Sequence, residues 1–166
     1  MNKQQCLQFL QDHHVAMDVV EHPAVFNMDE MHALHMPHDE QIAKNLFLRD
    51  DKKRHFYLVT VPGSHRVDMK QLRHCIGSRP LRFAPESDLE RMLGLTQGSV
   101  TPLGLLNDGE HQVQFYLDAA FRDDWIGVHP MENTATVFLQ ANALLQLLQE
   151  CGCPAEWLNW NEEGED

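Results

Sequence analysis

The alternation of apolar and polar residues predicts a series of short helices and short strands. Residues 4–11 carry Cys6, Leu7 and Leu10 at helical spacing, which predicts a first helix. Residues 15–21 alternate roughly as a strand, and the proline at position 23 favours a break just after it. Further helices are expected wherever a capping residue precedes an apolar stripe. They cover residues 28–35, 68–76, 87–93 and 142–149, with caps at Asn27, Asp68 and Ser87 for the first three.

Other periodic segments predict strands. Two neighbouring strands are expected at residues 44–49 and 55–61, joined by a charged turn at 50–53. Shorter strands are expected at 81–84, 112–117 and 135–139. The segment 98–104 differs because it is uncharged and rich in glycine and proline, which indicates backbone that approaches another group closely. Short helices mixed with five or six short strands indicate an α/β or α+β domain.

The length of 166 residues favours one domain, placed at residues 1–158, with an acidic tail at 159–166. No apolar stretch approaches the ~20 residues that cross a bilayer. The N-terminus lacks the apolar core of a secretory signal, so a cytoplasmic protein without membrane contact is expected. The four cysteines lack zinc-type spacing, which favours free thiols.

Charge is distributed unevenly along a chain whose net charge is −12. Ten of the 13 lysines and arginines lie between residues 44 and 82, a span with three acidic residues. This span therefore carries +7 and the rest of the chain −19. A basic segment in an acidic molecule suits a small phosphate-bearing partner, such as the end of an RNA, better than long DNA. Solvated basic loops in an acidic shell are the alternative.

Lys44 and Asn45 stand at the start of a predicted buried strand. An ammonium group is costly to remove from water unless it is paired or takes part in chemistry. The pair is therefore a candidate for catalysis, although a surface lysine at a strand start would look the same in sequence.

A second candidate is the predicted turn 127–130, where Gly127 and Val128 precede His129. Free backbone N–H groups and an imidazole, together with a lysine, could stabilise an oxyanion. His129 could equally be a structural turn residue. Three histidines at positions 32, 35 and 38 lack the partner pattern of a metal site, so neither metal nor cofactor is expected. Ser99 lacks the surroundings of a hydrolase nucleophile.

Several segments, in this order, carry a resemblance to a known family. They are residues 22–26, 44–50, 67–70, 94–108, 127–130 and 133–136. On these motifs the chain resembles the YbaK and prolyl-tRNA-synthetase-associated editing domains, above all the freestanding branch that deacylates Ala-tRNA(Pro). The resemblance implies one α/β (α+β) domain with a mixed, mostly antiparallel sheet or pseudo-barrel flanked by helices. It also implies a hydrolase that trans-edits mischarged tRNA(Pro).

The resemblance assigns roles to individual residues. Lys44 and Asn45 would be catalytic. The residues implied to bind substrate are Val25, Phe26, Ser99, Thr101, Pro102, Gly127, Val128 and His129. The residues implied to bind tRNA are Arg49, Lys52, Lys53 and Arg79. Water would attack the ester, with Lys44 orienting it, and the pocket would exclude proline by size.

Alternatives stay open at this stage. One is a deacylase of the same family that is specific for Cys or for Ser/Thr. Another is a non-catalytic module that binds the tRNA end or a synthetase. The partners expected are the acceptor end of aminoacyl-tRNA(Pro) and, as an open question, prolyl-tRNA synthetase. Neither DNA nor membrane is expected as a partner, and the chain would be a monomer or a homodimer.

Overall fold

Two β-sheets frame the molecule in the computed structural model, which describes residues 1–160. The strands are β1 (Met17–Glu21), β2 (Ala43–Asp50), β3 (Phe56–Pro62), β4 (Leu81–Phe83), β5 (Val113–Asp118), β6 (Trp125–Val128), β7 (Ala135–Gln140) and β8 (Ala155–Leu158). The helices are α1 (Lys3–Asp12), α2 (Met28–Ala33), α3 (Met69–Ile76), α4 (Glu86–Leu93) and α5 (Ala141–Glu150). Short 3₁₀ turns cover Asp39–Gln41, Gln97–Ser99, Pro102–Asn107 and Ala119–Phe121.

The larger sheet has the strand order β4-β2-β3-β5-β8, and the smaller one has the order β1-β7-β6. β2 pairs antiparallel with β3 and β4, whereas β5 runs parallel to both β3 and β8. The smaller sheet is antiparallel throughout. The two sheets meet where Ile42 bridges Gly127. This junction brings the start of β2 beside the end of β6.

The large sheet is buried on both faces. Phe47 joins the larger core, which includes α4 and α5, while Leu46 and Leu48 pack with Leu72 of α3 on the opposite face. This division follows from the alternation of side chains along a strand. The predicted α/β (α+β) domain with a mixed, mostly antiparallel sheet flanked by helices is confirmed.

Helix boundaries largely follow the predicted caps. The side chains of Asn27 and Asp68 accept hydrogen bonds from the first turns of α2 and α3. The predicted cap at Ser87 is wrong, because α4 begins at Glu86 directly after Pro85. Acidic side chains in its first turn favour that start through the helix dipole.

The last described residue, Trp160, is attached to the large sheet. Trp160 is two residues past the expected boundary, yet its indole Nε1 donates to Asp118 at 2.8 Å. The chain is therefore packed through Trp160. The rest of the predicted acidic tail, residues 161–166, lies outside the described residues.

Candidate active site

A cavity of about 130 Å³ opens where the two sheets meet. The loop before α2, α2 itself, the start of β2 and the segment 97–100 form its walls. Its lining residues are Val25, Phe26, Asn27, Met28, Met31, Ile42, Ala43, Lys44, Asn45, Gln97, Gly98, Val100 and His129. The cavity thus gathers residues that are far apart in sequence around the predicted catalytic pair.

A much smaller cavity, of about 10 Å³, lies among some of the same residues. It is lined by Ile42, Ala43, Asn45, Gly127, Val128, His129 and Thr136. Such a volume holds about one water molecule. Gly127 is required here, because a Cβ atom would lie 2.7 Å from Cε1 of the buried Phe138 ring.

Lys44 is half-buried, and its Nζ donates a hydrogen bond to the backbone carbonyl of His65. Partial burial lowers the pKa of this ammonium, and the nearby Arg66 guanidinium lowers it further. No carboxylate pairs with Lys44 among the described residues. The lysine thus carries a charge that an anionic or carbonyl oxygen could stabilise.

Asn45 is held in place by two hydrogen bonds. Its Oδ1 accepts from the Thr60 hydroxyl at 2.6 Å, and its Nδ2 donates to the Val100 carbonyl at 3.2 Å. Thr60 is completely buried. An amide nitrogen carries two protons, so one N–H of Asn45 remains for a ligand.

His129 closes the cavity from the side of β6. Its Nδ1 lies 2.9 Å from the carbonyl oxygen of Ala135, which can only accept, so Nδ1 carries the proton. Burial lowers the pKa of His129, partly offset by this hydrogen bond, and nearby His22 lowers it further. The imidazole is therefore neutral at pH 7, with a lone pair on Nε2.

His22 and Thr136 stand behind His129. The Nδ1 of His22 lies 2.9 Å from the Pro23 carbonyl, and its Nε2 lies 2.9 Å from the Thr136 hydroxyl. The Pro23 carbonyl can only accept, so Nδ1 carries a proton, and Nε2 is left to contact the Thr136 hydroxyl. This fixes the hydroxyl of a residue that lines the smaller cavity.

Val25 and Phe26 occupy different parts of the cavity. Val25 is buried, and its carbonyl accepts a 2.7 Å hydrogen bond from Asn133. Phe26 has 71% of its surface exposed and packs over Gly98, where a Cβ would lie 2.9 Å from the ring. Phe26 thus lies at the mouth of the cavity, whereas Val25 forms part of its wall.

Three of the residues predicted to bind substrate lie behind the lining. Ser99, Thr101 and Pro102 are buried and do not line either cavity. The Thr101 hydroxyl accepts from the backbone N–H of Leu103 at 3.3 Å, which caps a 3₁₀ turn. The side chains of these three residues are buried behind the cavity wall. Their role is to shape the segment that brings Gly98 and Val100 to the cavity.

The predicted tRNA-binding arginines already have carboxylate partners. Arg49 pairs with Asp88 at 2.9 Å. Arg79 contacts both oxygens of Asp51, at 2.7 and 3.1 Å. The exposed Lys52 and Lys53 lie in the turn after the far end of β2, and that end is roughly 20 Å from Lys44 at about 3.3 Å per residue.

Several lining residues were not predicted. Met28 and Met31 belong to α2, and their helical spacing was visible in the sequence. Ile42 and Ala43 immediately precede Lys44, so the sequence alone could also have placed them near it. Thr136 belongs to the segment 133–136 that carries the resemblance, but its place at the smaller cavity depends on the pairing of β6 with β7.

No group of three or more His, Cys, Asp or Glu within residues 1–160 is placed to hold a metal ion. Within the same residues, every helix is too short or too polar to cross a membrane.

Comparisons with known proteins identify the family of this chain. A family model described as "Aminoacyl-tRNA editing domain" matches residues 22–147. The prolyl-tRNA editing protein ProX of Acetoanaerobium sticklandii is 36% identical over 151 residues, covering 90% of this chain and 92% of that protein. The prolyl-tRNA synthetase associated domain-containing protein 1 of Mus musculus is 36% identical over 156 residues, covering 89% of each.

Solved structures share the fold. One, described as a candidate trans-editing enzyme for prolyl tRNA synthetase, has a TM-score of 0.66 at 22% identity and covers 96% of this chain and 98% of that one. Another, a hypothetical protein named APE2540, has a TM-score of 0.71 at 16% identity and covers 95% and 99%. The family match and the extent of these relatives confirm the resemblance predicted from the sequence, and the chain belongs to the family of aminoacyl-tRNA editing enzymes.

Proposed function

We propose that this protein hydrolyses the ester bond of mischarged tRNA(Pro) in trans and that its principal substrate is Ala-tRNA(Pro). The observation that carries the proposal is the cavity of about 10 Å³ beside Asn45 and His129. The names of the relatives support tRNA(Pro), since one is a prolyl-tRNA editing protein and others are named for prolyl-tRNA synthetase.

Size is the basis of selection. A space that admits about one water molecule also suits a methyl group, whereas a proline ring is larger. The floor is tightly packed, because no room is left between Gly127 and the Phe138 ring for an added Cβ atom. The pocket of a synthetase discriminates against a smaller amino acid by only about 1–3 kcal/mol per missing methylene. An editing pocket that excludes the larger proline removes the smaller amino acid that the synthetase accepts by mistake.

The chemistry requires little beyond positioning and charge. Water adds to the carbonyl carbon, the bond to the ribose oxygen breaks, and free alanine and tRNA are the products. The Lys44 ammonium and the free N–H of Asn45 would stabilise the negative charge that develops on the carbonyl oxygen. A protein nucleophile is unnecessary, because an aminoacyl ester is already activated.

The partner of the cavity would be the acceptor end of tRNA. The exposed ring of Phe26 at the mouth offers a face on which a terminal base could stack. The proposed contacts for the tRNA remain Arg49, Arg79, Lys52 and Lys53. Each of the two arginines would bind a phosphate in addition to its present carboxylate partner. A prolyl-tRNA synthetase partner and a monomeric or homodimeric state remain predictions.

The main alternative is a deacylase specific for Cys or Ser. The side chains of these two amino acids are only one heavy atom larger than that of alanine, so the small cavity discriminates against them least. The deciding experiment measures hydrolysis of tRNA(Pro) charged with Ala, Cys, Ser, Thr or Pro. We expect Ala to be released fastest and Pro to remain uncleaved. Faster release of Cys, Ser or Thr than of Ala would contradict the substrate assignment.

A further inference from the structure

Lys44 rests against a turn that the proposed chemistry does not use. This turn, residues 63–67, links β3 to α3, and the backbone carbonyl of His65 within it binds the Lys44 ammonium. A backbone carbonyl is present whatever the side chain at that position. The location of the ammonium therefore depends on the groups that hold the turn.

Trp160 and Asp118 hold the His65 side chain. The imidazole stacks on the Trp160 indole, with ring centroids 4.9 Å apart and planes 23° apart. His65 Nδ1 lies 4.0 Å from Oδ2 of Asp118. The same oxygen accepts a 2.8 Å hydrogen bond from Nε1 of Trp160. The three side chains thus form one cluster on the residue that binds Lys44.

The cluster is anchored in the large sheet. Asp118 is buried at the end of β5, and its Oδ1 accepts from the backbone N–H of Ala120 at 2.9 Å. Leu158 of β8 pairs with Asp118, which places Trp160 two residues beyond the strand. The Trp160 carbonyl lies 3.6 Å from the Cys75 sulfur in α3. The cluster that contacts His65 is therefore attached to β5, β8 and α3.

We propose that Trp160 and Asp118 are positioning residues for Lys44. They fix the His65 carbonyl, and through it the ammonium, beside the place where the substrate ester binds. This inference rests on the proposed function for its catalytic consequence. A lysine has a long flexible side chain, and fixing one of its rotamers in advance lowers the entropy lost when the reaction is catalysed.

The first test measures the position of Lys44 without using activity. In the full chain, Trp160→Ala removes the stack and the hydrogen bond, whereas Trp160→Phe keeps an aromatic face. Trp157→Ala is the matched control, because Trp157 lies in β8 with the Arg122 guanidinium 5.0 Å from its ring and packs against the other core. Reductive methylation by formaldehyde with sodium cyanoborohydride as the hydride donor, followed by peptide mass spectrometry, reports how freely Lys44 reacts.

We expect Trp160→Ala to raise the methylation rate of Lys44 several-fold, with Trp160→Phe and Trp157→Ala close to wild type. Equal rates in Trp160→Ala and Trp157→Ala, with thermal melts showing both folded, would overturn the inference. Asp118→Asn supplies an independent variant and should change the rate in the same direction as Trp160→Ala.

The second test separates this inference from the proposed function. On Ala-tRNA(Pro), Trp160→Ala should lower kcat roughly 10- to 100-fold with little change in KM, as expected for a misplaced group. A kcat equal to that of Trp157→Ala would argue against positioning. If wild type and Lys44→Ala release alanine at the same rate, the proposed function fails, while the methylation result still decides whether Trp160 holds Lys44.

Discussion

Lys44 and Asn45 are neighbours in sequence, but they contact different parts of the molecule. Successive side chains of a strand point to opposite faces. Lys44 reaches the turn that follows β3, whereas Asn45 joins Thr60 to the Val100 carbonyl. Lys44 therefore supplies a charge on a long side chain that the turn must position, and Asn45 supplies an amide that is already held by two hydrogen bonds. Both residues nevertheless line the cavity, so an ester bound there would meet the ammonium and the amide together.

The neutral state of His129 leads to a prediction about pH. Because burial lowers its pKa below the usual 6.5, the imidazole stays neutral down to a pH below that value. Protonation would add a positive charge beside the substrate ammonium and remove the lone pair on Nε2. We expect the deacylation rate, corrected for uncatalysed hydrolysis, to fall on acidification with a midpoint below pH 6.5.

The control for this profile is His35→Asn, which changes an exposed histidine outside the cavity at a left-handed position that asparagine tolerates. This variant should keep the wild-type profile. A midpoint above pH 6.5, or a rate independent of pH across the acid range, would contradict the assignment of a neutral His129.

Gly127 tests the floor of the cavity. In Gly127→Ala the new Cβ would lie 2.7 Å from the Phe138 ring and 3.2 Å from a Thr136 methyl group. Both neighbours are buried, so we expect overpacking to cost about 1–3 kcal/mol in the free energy of unfolding. Alanine release should fall as well. Gly109→Ala is the matched control, because its Cβ would meet nothing within 4 Å; equal effects in the two variants would refute the packing argument.

The hairpin of β2 and β3 depends on Asp50, a buried carboxylate in its turn. Burial alone would raise the pKa of Asp50, but hydrogen bonds from the Arg54 backbone and from His55 outweigh it and lower the pKa to about 2. The pKa of Asp50 in the folded protein therefore lies below its ordinary value of 3.8. The carboxylate therefore stabilises the fold above about pH 3.8, and this contribution is lost as the pH falls towards 2.

Asp50→Asn should accordingly lower the melting temperature at pH 7, and its difference from wild type should shrink as the pH approaches 2. Thermal melts across this range measure the effect. Asp29→Asn, in the first turn of α2, supplies a carboxylate control away from the hairpin. A difference that stays constant with pH would show that the ionised carboxylate is not the cause.

Elements with local signals were predictable from sequence, and those defined by distant pairing were not. Asn27 and Asp68 cap the helices they were expected to cap, and β2 and β3 form a hairpin with a charged turn. β6 was interpreted as a turn, because glycine, histidine and proline cluster around its last residues. β8 was missed, since its four residues form a strand only by parallel pairing with the distant β5.

The candidate site shows the same division. Lys44, Asn45 and His129 stood out through their chemistry, and all three line the cavity. Thr101 and Pro102 belong to a conspicuous motif, but their side chains are buried. Sequence indicates that a segment is unusual, while the direction of each side chain depends on turns whose geometry only the folded chain provides.

At the scale of the whole molecule, the basic segment divides between the two ends of β2. Lys44 lines the cavity with the charge of Arg66 nearby, and Lys52, Lys53 and Arg79 lie near the opposite turn. The rest of the chain is strongly acidic. Such a distribution favours a partner that enters at one end and extends along β2, and it weakens binding of nucleic acid elsewhere.

Arg79 tests this distribution. Arg79→Gln should weaken binding of tRNA(Pro) and reduce the slope of log K against log salt by up to about one, because one phosphate contact is lost. Arg122→Gln is the matched control, since Arg122 lies outside the segment and packs on Trp157. Filter-binding titrations at several salt concentrations measure both slopes. Equal losses in the two variants would mean that the clustering of charge is unrelated to binding.

The proposed role of Lys44 in the hydrolysis of Ala-tRNA(Pro) can be measured in a single turnover. The quantity is the rate of alanine release from tRNA(Pro) by wild type and by Lys44→Ala, with both proteins shown to be folded. We expect wild type to release alanine well above the uncatalysed rate, and Lys44→Ala to lose most of that acceleration. Release by wild type no faster than by Lys44→Ala would contradict the account and favour a non-catalytic tRNA-binding module.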